Sequence, residues 1–183
     1  MRWHYTIGAY LKSIYTTGFI YPERIVLPGV RPIVWFTSSP VWEEMANKLG
    51  GDTSIRTITE FINYSQKFIR LTREETAMLG GGLFRVGVGD ECSLHPFNRI
   101  VRKSKAPKLY PWMERGLLEA ALAVGSDPVT DWWGTFHPVP REQWKALEQF
   151  TPEGWQSFTD VEKIMRGEIV ASVPVAERFG TGG

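Results

Sequence analysis

Two places in the chain set chemistry-bearing side chains at the ends of regular elements. His4 and Thr6 stand just ahead of an amphipathic stripe, and Thr37, Ser38 and Ser39 follow the apolar, β-rich run from Ile33 to Phe36. Element ends present backbone donors beside side-chain ones, which is where ligands are commonly held. If the two strands are neighbours, His4 can hydrogen-bond a ribose hydroxyl while Tyr15 or Trp35 stacks on an aromatic ring. Arg31 or Arg85 can then meet a pyrophosphate, and the set suits a dinucleotide. The same residues also have a structural use: His4 bonding a buried backbone group, Thr6 and Ser39 as caps, Trp35 and Phe36 as core.

Common catalytic signatures are missing from the sequence. It holds no GxxxxGK[ST], no HExxH, no paired CxxC and no GxSxG. Gly80-Gly81-Gly82 and the Arg85 to Gly89 stretch do not stand between a strand and a helix in the order a dinucleotide fingerprint requires. His4, His95 and His137 are far apart and Cys92 is alone, so no metal site is predicted. Arg99 to Lys108 carries five basic residues and no acid. This run reads as a solvated basic loop, or as a contact for phosphate or nucleic acid.

These residues need a frame. With 183 residues, 43% of them hydrophobic and 22% charged, the chain can bury a core without staples. Residues 1–179 read as one domain and 180–183 as a flexible tail. The formal net charge of +1 gives no global field for a polyanion. Neither a membrane span nor a secretory leader is legible, and a single Cys fits a reducing cytoplasm. Eight Trp and ten Phe are a heavy aromatic load that reads first as core.

Periodicity places the elements. Ile7, Tyr10, Leu11, Ile14 and Tyr15 form the stripe of a first helix that Gly18 stops. Pro22, Pro28, Gly29 and Pro32 forbid regular structure between residues 19 and 32. Ser38-Ser39-Pro40 predicts a strand-to-helix junction, with Glu43 and Glu44 in the early turns and Gly50-Gly51 as the stop. Residues 53–70 are compatible with strand then helix or with two strands. Thr72 to Glu75 has capping-box spacing for a helix ended by Gly80, and a strand from Leu83 to Val88 follows. A helix is predicted over 111–124, a strand over 133–139, a helix starting at Pro140, and a second capping box at Thr159 to Glu162 with a final strand over 168–175. The sum is an α+β fold of small split sheets with interspersed helices.

The order His-aromatic-Thr, an amphipathic helix closing on Gly and a hydrophobic pair, a loop, then a Pro-apolar-aromatic strand ending in hydroxyls and Pro (Arg31 to Pro40) resembles the start of ADP-ribosyltransferase-fold proteins. It is most similar to the DarT-like nucleic-acid ADP-ribosyltransferases and related bacterial proteins. The resemblance covers about 40 residues. It implies NAD, as substrate, lying in a cleft between two sheets, with His4, Tyr5, Thr6, Trp35, Thr37 and Ser38 facing it. It also implies an acid on a late strand that stabilises an oxocarbenium-like transition state. The corresponding segment, Asp131 to Arg141, has no Glu, and the candidates there are Asp131 and His137, with Glu142 one turn beyond and Glu91 on another loop.

Two functions follow from the resemblance, beside an unrelated interaction or structural protein in which His4 and Ser38 would be separated in space. One is an NAD-consuming ADP-ribosyltransferase-like enzyme, or an NAD glycohydrolase, acting on a nucleic-acid or protein acceptor. The other is a catalytically silent domain of that fold, acting by binding in a toxin or defence system, with an aromatic patch from Trp132, Trp133 and Trp155 exposed.

Overall fold

The computed structural model describes residues 1–22, 30–46, 71–104, 115, 118, 119, 121–123, 125, 126 and 128–166. The fold among them is α+β. Strand β1 (Arg2–Ile7) enters the centre of a seven-stranded sheet at once. It pairs with β4 (Leu83–Val88) from Arg2 opposite Val88 to Ile7 opposite Leu83, and with β3 (Val34–Thr37) at Trp3 opposite Thr37. Outside β3 lie β6 (Trp132–Thr135) and the short β5 (His95–Pro96); outside β4 lie β8 (Trp144–Thr151) and β9 (Gly154–Ser157). All these pairings are antiparallel. A second sheet joins β2 (Phe19–Ile20) to β7 (Val139–Pro140).

Side chains alternate across a strand, and here both faces of the large sheet are covered. Trp3, Tyr5 and Ile7 pack with Leu83 and Trp42 on one face. Val34, Phe36, Val86 and Val88 pack on the other with Ile20 and Val139 of the small sheet. Helix α1 (Gly8–Thr17) lays Leu11, fully buried, against Phe84 on that second face. Helix α3 (Phe97–Lys103) buries Phe97, Ile100 and Val101 with Ile33 and Trp132. Helices α2 (Arg73–Gly80) and α4 (Val161–Arg166) are also described, and of the helix expected over 111–124 the described residues 115, 118, 119 and 121–123 are helical.

Two glycines mark close approaches within the sheet. A Cβ on Gly87 would stand 2.7 Å from a ring carbon of Trp3, its cross-strand partner, and one on Gly134 would stand 2.7 Å from Ile33. Only glycine lets these bulky side chains lie flat over the neighbouring strand.

Several local expectations are corrected. Among the described residues no α-helix follows Ser38-Ser39-Pro40; as far as Ala46 the chain makes a 3-10 turn at Glu44–Ala46. Pro140 does not open an α-helix either, because a 3-10 turn at Arg141–Gln143 leads directly into β8. The strand over 133–139 is divided, with Trp132–Thr135 in the large sheet and Val139 in the small one. Part of the basic run, Arg99 to Lys103, is helical in α3, with Arg99, Arg102 and Lys103 exposed. Phe19 and Ile20 form a strand rather than irregular chain. The expected segment over 53–70, the strand over 168–175 and the tail lie outside the described residues. Among those described, no helix is long and apolar enough to cross a membrane.

Candidate functional site

His4 sits on the face of β1 that it shares with Phe36, whose ring centroid is 5.7 Å away. Its Nδ1 lies 3.0 Å from the carbonyl oxygen of Trp35 on the neighbouring strand. A carbonyl only accepts, so Nδ1 carries the proton and the ring is held in one orientation. Thr6, buried, shares this face by alternation.

Tyr5, Trp35 and Thr37 belong to the opposite face, which corrects their expected grouping with His4. Tyr5 is buried and its hydroxyl reaches the carbonyls of Ser39, at 3.0 Å, and Val41. Trp35 packs between Phe97 and Trp132, with centroids about 6 Å apart. The buried Thr37 accepts the Ser39 N–H at 3.0 Å through its hydroxyl oxygen. Ser38 is exposed, and both its N–H and its hydroxyl donate to the Asp131 carbonyl, at 2.9 and 3.2 Å.

Asp131 closes a 3-10 turn (Val129–Asp131) immediately before β6, and the exposed His137 lies beyond the other end of that strand. About 10 Å of strand separates those ends, so the two do not act on one bond from a shared position. The β6 positions on the His4 face are held by Trp133 and Thr135. Glu142 is exposed, and exposed Glu91 is paired with Lys145 at 2.6 Å, a hydrogen bond that holds its carboxyl below the usual range.

The three other proposed ligand contacts are engaged by protein groups. Arg85 is buried and meets Glu148 at 2.5 Å, with its guanidinium 3.8 Å over Trp3 and 4.3 Å from Trp155. It also donates to the Pro40 carbonyl, so a pyrophosphate contact from Arg85 is corrected to a core ion pair. Tyr15 lies under the Arg141 guanidinium at 3.7 Å, and Arg31 covers Phe136 at 3.9 Å. The expected exposed aromatic patch is absent among the described residues: Trp132 is buried, Trp133 and Trp155 are half-buried, and Trp155 stacks on Trp42.

The space between the two sheets is filled by Ile20, Val139, Val34 and Phe36. A small cleft of about 100 Å³ opens beside it, lined by Arg2, Gly89, Asp90, Cys92, Leu94 and Trp133. The Arg2 guanidinium stands 4.1 Å from the Trp133 ring and donates to Asp90 at 2.9 Å. Burial pushes the Cys92 thiol up, with the neighbouring Glu91 charge adding to it, so sulfur is held as the thiol. No motif joins Arg2 to Trp133, which are far apart in the sequence; the only local sign is that Arg2 alternates in phase with His4. At the sheet edge, burial lowers the His95 imidazole below its ordinary range, and the Lys103 and Arg99 charges lower it further.

Pockets for drug-sized ligands run to roughly 300–1,000 Å³, so this cleft takes a chemical group and not an entire dinucleotide. Among the described residues, no group of three or more His, Cys, Asp and Glu could hold a metal ion. The chain matches no family model, no curated protein sequence and no solved structure.

Proposed function

We propose that the chain is an ADP-ribosyltransferase-like domain that uses NAD as substrate and passes ADP-ribose to a nucleic-acid or protein acceptor. The observation supporting this reading is the adjacency of β1, β3 and β6, since His4 lies on β1, Ser38 directly follows β3, and Asp131 closes the turn that leads into β6. An unrelated arrangement of the same motifs would scatter them. In this reading His4, oriented through its Trp35 bond, positions the nicotinamide ribose. The Asp131 carboxylate offsets the positive charge that develops at the anomeric carbon. The glycosidic C1′–N bond breaks with its electron pair leaving on nicotinamide, the acceptor's nucleophilic atom bonds to C1′, and the acceptor proton passes to solvent.

One observation favours a binding domain of the same fold instead: Trp133 and Thr135, not a carboxylate, hold the β6 positions facing the His4 side. Nicotinamide release from NAD separates the two, read by chromatography with and without single-stranded DNA, RNA or lysate. The enzyme reading expects release that falls about a hundredfold in Asp131→Asn and in His4→Ala. Calorimetric NAD binding without release moves the function to binding, and neither binding nor release overturns both.

A further inference from the structure

We propose that the cleft between Arg2, the loop from Gly89 to Leu94 and Trp133 binds a small oxyanion, a carboxylate or phosphate group, through Arg2 Nε and Trp133 Nε1. Both nitrogens are buried and, among the described residues, neither has a hydrogen-bond partner; the side chains that carry them line this one cleft. Buried donors are nearly always satisfied. Each is a donor only, so whatever completes them must bring acceptor oxygens. Two oxygens on one small group meet that need, and the guanidinium adds charge to the bond.

The surrounding charges leave room for an anion. Asp90, the carboxylate paired with Arg2, has a side chain 91% exposed, so solvent screens its hold on the guanidinium. Glu91, which folds over Gly89, is paired with Lys145. The Arg2 side chain is itself 23% exposed, which gives the cleft an opening to solvent. A water molecule's share of liquid volume is roughly 30 Å³, so the cleft accepts about three such volumes, a carboxylate or phosphate head without a sugar behind it. This site does not depend on NAD use.

The test is titration of the ¹⁵N-labelled full chain with sodium acetate and, separately, sodium phosphate, against sodium chloride at equal ionic strength. The Trp133 indole N–H is assigned among the eight tryptophans with Trp133→Phe. The expected result is a saturable downfield shift of that signal with one or both oxyanions, which tells carboxylate from phosphate, and its loss in Arg2→Met while the other indole signals stay in place. A shift equal to that in chloride, or no saturation, overturns the proposal. Should Arg2→Met fail to fold, the wild-type chain gives a second reading: alkylation of Cys92 slows severalfold at saturating anion if the cleft is filled, and an unchanged rate overturns the site.

Discussion

Arg85 illustrates how a cation becomes part of a hydrophobic layer. Its charge is met by Glu148, its remaining donors reach the Pro40 carbonyl, and its flat faces lie on Trp3 and Trp155. Removing one partner of such a pair strands the other, and Glu148 is only 21% exposed. Arg85→Met is therefore expected to lower stability by about 2–3 kcal/mol, less than a fully buried pair because solvent still reaches Glu148. Urea unfolding followed by tryptophan fluorescence measures it, and an unchanged midpoint would place Arg85 outside the core. Glu43 is a comparable case: a buried carboxylate that accepts from the Trp132 indole at 3.1 Å and from the Ser126 hydroxyl. None of these partners is near in sequence, so nothing around Arg85 or Glu43 in the chain announces how each charge is satisfied.

At the scale of elements, the readable signals were those that close on themselves. The capping box at Thr72 is present, with the Thr72 hydroxyl accepting the Glu75 N–H at 3.1 Å and the Glu75 carboxylate accepting the Thr72 N–H at 2.8 Å. Thr72→Ala is expected to cost about 1 kcal/mol, seen as a lower thermal midpoint with the fold retained. Gly18 stops α1 with φ at 73°, as the stripe ahead of it predicts. Ser38-Ser39-Pro40 carries equally good helix-start chemistry, yet the carbonyls of Ser39, Pro40 and Val41 are bonded by Tyr5 and Arg85 from neighbouring strands. A helix there would need those same oxygens. The stretch after Arg141 contains Lys145, Ala146, Leu147, Glu148 and Gln149, all good helix formers, but pairing with β4 outweighs propensity. Of the candidate site, the adjacency of β1 and β3 is conditional in the sequence, and which residues share a face with His4 is set by the register of β1.

The whole molecule is built from distant pieces. Strand β1 is flanked on one side by β3 and on the other by β4, and β3 in turn waits for β6 from the later half of the chain. Helix α3 lies between the paired strands β5 and β6, but the two strands that flank β1 come from residues 34–37 and 83–88. Closing such long loops costs chain entropy before any contact rewards it. Refolding from urea, followed by stopped-flow fluorescence, is therefore expected on the millisecond-to-second scale, and microsecond folding would contradict it. The same order governs synthesis. The first strand leaves the ribosome long before β4 exists to receive it, and β3 holds an open edge until Trp132 to Thr135 has been made. During that interval Trp3, Tyr5 and Phe36 are sticky surface, so the central strand that organises the finished sheet also makes the nascent chain dependent on delay, dilution or a chaperone.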